Sequence, residues 1–322
     1  MEVSFIIPHK GRHAMLVETV VSIAQQDYDI QRIEVIVVSQ NTDINLQTFN
    51  DIAFKNLKII VAHHSGDTIS AMRNHGFTLA QGNYIAFIDA DVELSANWLQ
   101  VMFLTLKQDN VVMSSAMQIA GSQPTALESI RVALSNVHID CDLQFLPGRN
   151  LFLARQYVKM VGGFPEHLIT CEDYYFTQKV AEHGRLRYVS GAEYVHIGED
   201  KDFTTLWEKE IWRGQSNLQS LSGRKFTLSE VPSLLSPIGL AFCLLAAVVS
   251  GLIGQPAWLF FWFVCACLPI LIYSLRLKLG SGKKLSMVSI MQFYSVYFPA
   301  RAVGTLTGLF KKLGAGKRAN AN

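Results

Sequence analysis

Two carboxylates one residue apart, Asp89 and Asp91, follow directly on an apolar, partly β-branched run at residues 83–88, itself preceded by Gly82. Such a run reads as a buried strand of an α/β sheet. Its carboxyl end is where open α/β sheets place their ligands. Acids there repel each other and are costly to desolvate, so they need a partner, and a hard divalent cation, Mg²⁺ or Mn²⁺, shared with a diphosphate would serve. The bland alternative is that Asp89, Asp91 and Glu93 cap a following helix, with Ser95 or Asn97 as turn residues. A second acidic pair, Glu172-Asp173, opens an apolar segment running to His183 that reads as a helix. The helix dipole favours a charged Asp173 able to accept a proton, while the like charge of Glu172 works against it. An ordinary first-turn acidic pair has the same pattern.

The elements that must position these groups alternate. Strands are expected at 3–7 (ending at Pro8), 33–38, 57–61 and 84–88, with helices at 13–26 and 68–80. The first helix places Leu16, Val20, Ile23 and Ala24 on one face. This alternation predicts an α/β fold with a mostly parallel sheet covered on both faces. Residues 120–145 are less regular and read as a mobile insertion over the site. No internal repeat or low-complexity tract interrupts the chain. The five cysteines show neither metal-type spacing nor a disulfide framework and read as small apolar filler.

Charge divides the chain. All 26 acidic residues and 19 of the 28 basic ones lie in 1–230, a formal balance of −7, whereas 231–322 holds nine basic residues and no acid, +9. From Val231 to Leu275 no side chain is charged. Two spans of membrane length are expected, about 233–253 and 257–275, broken by Gly254-Gln255-Pro256. Arg224 and Lys225 precede them; Arg276, Lys278, Lys283 and Lys284 follow. The positive-inside rule then keeps both flanks cytoplasmic. Residues 285–310 carry Gln292, Pro299 and Arg301, and Lys311, Lys312, Lys317 and Arg318 follow. That segment reads as an interfacial or re-entrant helix with a basic tail on anionic headgroups. Met1-Glu2-Val3-Ser4 lacks the basic start of a cleavable signal. The expected organisation is a cytoplasmic domain over 1–225 and a membrane region over 231–322 at the inner (plasma) membrane.

Several motifs in collinear order carry a resemblance. Ser4-Phe5-Ile6-Ile7-Pro8, Glu34-Val35-Ile36-Val37-Val38, Ser70-Ala71-Met72-Arg73-Asn74-His75-Gly76 and Gly82 through Asp91 come first. Gly148-Arg149-Asn150 through Arg155, Val161-Gly162-Gly163-Phe164, Glu172-Asp173 and Val195-His196 follow. Over about residues 3–215 the chain resembles the family 2 glycosyltransferases. The resemblance implies a GT-A fold, a nucleotide-sugar donor, a divalent metal and inverting displacement at the anomeric carbon. It implies Asp173 as the base, with Glu172 supporting the site or touching the acceptor. Asp91 would be a direct metal ligand and Asp89 would face the donor's ribose or sugar. His196 would lie near the metal and diphosphate, although a lone histidine is also an ordinary satisfied one. Arg73 would reach the base or diphosphate, or simply a surface partner. Arg149 and the loose motif Trp212-Arg213-Gly214-Gln215 would contact acceptor or diphosphate. The Gln-x-x-Arg-Trp pattern of processive members is absent.

Two departures concern the donor. Ser39 stands where the family has an acid contacting the nucleobase, and His9-Lys10-Gly11 replaces Thr-Tyr-Asn after Pro8. Lys10 and Arg12 add positive charge beside the nucleotide. The expected function is metal-dependent inverting transfer from a UDP- or GDP-linked sugar to a lipid-linked or polysaccharide-precursor acceptor, with membrane lipids as partners and no nucleic acid. Transfer to polyprenyl phosphate competes within that class. A sugar nucleotidyltransferase, for which Pro8-His9-Lys10-Gly11-Arg12 is a poor loop, and a non-catalytic membrane scaffold are the readings from other classes.

Overall fold

The computed structural model describes residues 1–49, 54, 56–66, 68–215, 231–281 and 285–319, without the side chains of 232–234 and 311–319. Arg224, Lys225, Lys283 and Lys284 and the expected boundary at 225 lie outside that description, as do the side chains of the basic tail. The chain forms two compact units. The first comprises Met1–Gln123 and His138–Glu199, the second Pro124–Val137 and Asp200–Asn322.

The first unit is a sheet with helices on both faces. In chain order it contains β1 (Val3–His9), α1 (His13–Ala24), β2 (Ile33–Ser39), β3 (Lys58–His63), α2 (Ile69–Leu79), β4 (Tyr84–Ile88), β5 (Val92–Leu94), α3 (Trp98–Leu106) and β6 (Val111–Ile119). After α4 (Ala126–Ser135), which belongs to the second unit, come β7 (Cys141–Leu143), β8 (Asn150–Ala154), α5 (Arg155–Val161), α6 (Glu172–Ala181) and β9 (Arg185–His196). The strands run in the order β3-β2-β1-β4-β8-β6-β9-β5, with β7 beside β9. β1 is parallel to β2 on one side and to β4 on the other, so the direction of winding reverses between β1 and β4. Ligands of open α/β sheets sit at such a switch point, outside the strands' carboxyl ends.

Burial on both sides explains the near-continuous apolar strands. Val3, Phe5, Ile7, Val35 and Val37 pack one way with Leu16, Val20 and Trp98. Ile6, Ile36, Val38, Ile85 and Phe87 pack the other way with Met72, Phe164 and Phe176. β1 runs past its expected end at Ile7. Its ladder to β2 continues to His9↔Ser39, whereas that to β4 stops at Ile6↔Phe87. One edge of Pro8 is thus free of strand pairing, which is where a residue without an N–H is tolerated.

The second unit contains α4, α7 (Phe203–Gly214), α8 (Val231–Leu252), α9 (Pro256–Ser281) and α10 (Met287–Ala319). The irregular reading of 120–145 is corrected here. Thr125 and Glu128 cap each other's main-chain N–H groups, a reciprocal box that starts α4, and β7 follows. α8 and α9 are each long and apolar enough to cross a membrane, over Leu235–Leu252 and Pro256–Ser281. They leave Leu245, Leu252, Trp258 and Phe260 exposed.

α10 is one continuous helix that buries Ile290, Phe293, Tyr294 and Phe298 with Leu206, Leu240 and Leu277. Its Arg301, a charge inside an apolar stretch, pairs at 2.5 Å with the fully buried Glu210 of α7. Burial alone would push Glu210 up, but Arg301, Arg131 and Arg213 hold it well below the carboxylate range. α7 and α10 approach to backbone contact: a Cβ on Gly304 would collide with the Ile211 carbonyl and come within 3.0 Å of the Gly214 Cα. Gly304→Val should therefore force the helices apart and lower the melting temperature in detergent by roughly 3–10 °C, the usual cost of overpacking in a chain of this size. An unchanged melting temperature would contradict that contact.

Candidate active site

β4 delivers the acids. Its ladder with antiparallel β8 ends at Ile88↔Asn150, and one residue on the Asp89 N–H donates to the Arg149 carbonyl at 3.0 Å. The amino end of β8 is thereby brought to the carboxyl end of β4. β5 begins immediately after Asp91 and pairs with β9, placing Val92 opposite His196, and the Ile197 N–H donates to the Asp91 carbonyl at 2.8 Å. Asp91 Oδ1 lies 3.3 Å from His196 Nε2. Since a strand follows Asp91, the capping alternative fails. Glu93 is exposed on β5, and Asn97, which precedes α3, makes no side-chain capping bond.

Arg73, on α2, is 1% exposed, and its guanidinium reaches Asp89 Oδ1 at 2.7 Å and Glu172 Oε1 at 3.0 Å. It also donates to the Gly148 carbonyl at 3.2 Å and lies over the Phe164 ring. A planar fork presents separate N–H groups to two carboxylates in a fixed geometry, which the single ammonium of a lysine does not reproduce. Burial pushes the Asp89 carboxyl above its ordinary value, against the pull of Arg73 and with the repulsion of Asp91. Burial likewise raises Glu172, and the neighbouring Asp173 adds to that shift while Arg73 opposes it.

Asp173 lies in the first turn of α6, as the acidic pair suggested. Its two oxygens accept from the Gly148 N–H at 2.9 Å and the Tyr174 N–H at 2.8 Å. A Cβ on Gly148 would stand 3.0 Å from both Arg73 and Asp173, so the bare main chain there lets them close on one another.

The carboxyl ends of β1 and β2 form a different environment. His9 Nδ1 is 2.9 Å from the Ser39 hydroxyl, which also accepts from the Asn41 N–H, while the Asn41 side-chain oxygen accepts from the Gly11 N–H at 2.7 Å. Burial lowers the His9 imidazole, so the position where the family carries an acid is an uncharged hydrogen-bonded network. Pro8 is buried in β1 and Lys10 is exposed just beyond it. Arg12 adopts a left-handed conformation with φ 51° and reaches Asp91 Oδ2 at 2.6 Å.

A further carboxylate escaped the sequence reading. Glu199 is buried and lies 3.0 Å from His196 Nδ1, 3.1 Å from the Gln118 amide and 3.6 Å from Arg149. Arg149 in turn donates to Gln118 and to the Tyr194 hydroxyl. Burial and Arg149 disfavour charge on His196, yet its bonds to Asp91 and Glu199 hold its pKa above the usual value. The spacing His196-x-x-Glu199 was the available signal. Trp212 and Arg213 belong to the second unit, where Trp212 is exposed and Arg213 binds Glu210 at 2.5 Å.

The family model for Glycosyl transferase family 2 matches residues 4–152. Residues 4–152, somewhat under half of the chain, thus match a family 2 glycosyltransferase domain. The match contains Arg73, Asp89, Asp91 and Arg149 and stops short of Asp173 and His196. Glycosyltransferase AglE of Haloferax volcanii is 26% identical over 191 residues, 56% of this chain and 62% of that protein, so the chain spans less than two thirds of that relative. Mannosyltransferase PcManGT of Pyrobaculum calidifontis, solved with GDP-Man and Mn²⁺, shares the fold at TM-score 0.64 over 97% of this chain and 88% of its own, with 16% identity. Residues 1–349 of S. aureus TarS, solved with UDP-GlcNAc, superpose at TM-score 0.51 over 95% and 91% of the two chains, with 14% identity. These likenesses establish the GT-A fold, as expected.

Removing Arg73 while leaving its acids would strand two largely buried carboxylates. Arg73→Met should cost on the order of 3 kcal/mol, measured by unfolding in detergent. Arg73→Lys should recover only part of it, and Arg73→Met combined with Asp89→Asn and Glu172→Gln most of it. A single-substitution loss below about 1 kcal/mol, the usual worth of an exposed pair, would show that the pairing does not hold the site.

Proposed function

We propose that this chain transfers a sugar from a UDP- or GDP-linked donor, with inversion, to a lipid-linked or polysaccharide-precursor acceptor at the cytoplasmic face of the inner membrane. The observation that carries the reading is the meeting of Asp89, Asp91, His196, Arg73 and the Asp173 pair at adjoining strand ends around the β1–β4 switch point. Asp173, held by two main-chain N–H donors at the start of a helix, takes the proton of the acceptor hydroxyl. The hydroxyl oxygen bonds to the anomeric carbon on the face opposite the leaving group. The bond from that carbon to the diphosphate breaks, and its electron pair leaves with the nucleoside diphosphate.

Asp91 and His196 would hold Mg²⁺ or Mn²⁺. The carboxylate oxygen suits either ion, whereas the imidazole suits the softer Mn²⁺ better than Mg²⁺, and among the described residues no group of three or more His, Cys, Asp or Glu surrounds a common centre. The protein would thus contribute few ligands, and diphosphate oxygens and water would complete the shell. When bound, the ion supplies charge neutralisation for the departing diphosphate. PcManGT was solved with Mn²⁺ as well as its donor. Lys10 and Arg12 would add positive charge at the phosphates, with Pro8 and the His9–Ser39–Asn41 network bordering the nucleobase. Asp89 would face ribose or sugar. Arg149, Trp212 and Arg213 would serve the acceptor or diphosphate.

Membrane attachment rests on α8 and α9 and on the acid-free, basic composition of 231–322. The orientation follows from Arg276, Lys278 and the other flanking cations. A domain held on that surface meets a lipid acceptor at high local concentration.

Asp173→Asn should lower turnover by roughly 10²–10⁴-fold, with donor binding unchanged, in assays offering UDP- and GDP-sugars to lipid acceptors in vesicles. An acceptor phosphate needs no base at neutral pH, so near-normal turnover of Asp173→Asn would move the reading to polyprenyl-phosphate transfer. Normal Asp173→Asn with an inactive Glu172→Gln would reverse the two roles. Transfer to soluble sugars alone would overturn the lipid acceptor.

A further inference from the structure

α7 begins where the Asp202 side chain accepts from the Thr205 N–H at 2.8 Å, and it buries Leu206, Glu210 and Gly214 along one face. The adjoining stripe at the same spacing, Phe203, Trp207 and Ile211, is apolar, yet Phe203 and Trp207 remain 39% and 38% exposed. Glu208 stands about 100° round the helix from Trp207 and is exposed as well. α7 therefore carries a packed inner face, an uncovered aromatic edge and a charged outer side. Its depth in the second unit is set by Leu206, which shares one core with Leu240 of α8 and Leu277 of α9. Leu240 lies near the start of the apolar stretch Leu235–Leu252, and Leu277 near the end of α9 at Ser281, so both mark the same end of the hairpin. Arg276 and Lys278 flank Leu277 there, charges that belong at headgroup level. The same layer holds Glu210 and Asp200 surrounded by Arg131, Lys209, Arg213 and Arg301, each still partly exposed, so the cluster is cationic on balance.

We propose that α7 docks on the bilayer: it lies in the headgroup layer at the charged end of the α8–α9 hairpin, with Phe203 and Trp207 inserted among the lipids. This rests on the reading of α8 and α9 as membrane spans. An amphipathic helix in that layer sinks its apolar side about 5–10 Å into the boundary between headgroups and acyl chains, and aromatic rings are favoured at that level. Buried ion pairs beside the same helix fit a polar interface and not a hydrocarbon interior. The balance of charge favours lipid over a second copy of the chain, because anionic headgroups complement the Arg131–Arg301 cluster and a second copy would present the same cations to it. Seating α7 on the surface has a consequence for the acceptor. Arg213, expected to serve acceptor or diphosphate, then stands at the depth where a lipid-linked acceptor carries its polar head.

The test reads tryptophan emission from the full chain in vesicles of phosphatidylethanolamine and phosphatidylglycerol. One variant keeps Trp207 (Trp212→Phe, Trp258→Phe and Trp262→Phe), and another keeps Trp258 of α9 (Trp207→Phe, Trp212→Phe and Trp262→Phe). Both retain Trp98, which is fully buried in the sheet core, and its emission is subtracted with a chain in which the other four are Phe. Lipid brominated near the glycerol end of its acyl chains should quench Trp207 by roughly half or more, and more than lipid brominated near the chain ends. Iodide in the water should quench it little. Quenching by iodide and not by lipid overturns the docking. Protection from both quenchers overturns it too, and is what a second copy seated on the stripe would give. The Trp258 variant separates the two readings. If Trp258 also escapes both brominated lipids, the membrane spans themselves fall, whereas quenching of Trp258 without Trp207 overturns the docking of α7 alone. Should a multiple variant not fold, the parent chain labelled with fluorotryptophan decides the matter by fluorine NMR. Spin-labelled lipid should broaden the Trp207 resonance, assigned with Trp207→Phe, and an unbroadened line would overturn the inference.

Discussion

Acids gathered at one end of a sheet repel one another, and this site stands because each has a cation or an N–H donor of its own. Arg73 bridges Asp89 and Glu172 from within the core, Arg12 and His196 bracket Asp91, and main-chain N–H groups hold Asp173. The guanidinium of Arg73 is the most consequential of these. A buried charge is tolerable only when fully paired, so its position dictates how closely β4, α6 and the Gly148 main chain can approach. Packing of Phe164 beneath it and the absence of a side chain at Gly148 follow from the same requirement.

The strand register around this centre is equally constrained. β8 enters between β4 and β6 in the antiparallel sense, so its amino end, not its carboxyl end, meets Asp89. β9 runs parallel to β6 and antiparallel to β5, which brings its carboxyl end to Asp91. A shift of one residue in either ladder would turn the buried side chains of that strand to its opposite face. The irregularity of β9 opposite Ala116 and Met117 lets one strand serve two pairings along its length.

The second unit meets a similar electrostatic problem in apolar surroundings. Glu210 and Asp200 are fully buried and surrounded by Arg131, Lys209, Arg213 and Arg301. A basic residue in the middle of α10 is thus accommodated by an acid from α7, drawn from outside the acid-free segment. Close contact at Gly304 makes that pairing reachable.

Much of this was determined by the sequence alone. The buried strands, the capped helix after Thr68, the acid pair opening α6 and the two apolar helices with their turn at Gly254 are local patterns. Periodicity, capping chemistry and the absence of charge write them within a few residues of one another, and the collinear motifs carried the family resemblance and with it the GT-A fold. α4 was equally local, through Thr125 and Glu128, but its capping box was overlooked amid irregular hydropathy. Tertiary structure alone decided which charges meet. That Arg73 bridges Asp89 and Glu172, that Ser39 joins His9 in an uncharged network, and that Asp91 meets His196 depends on ladder register and helix packing between distant segments. Pairing energy depends on separations of a few ångströms, and residues far apart in the chain acquire those separations only when the sheet closes.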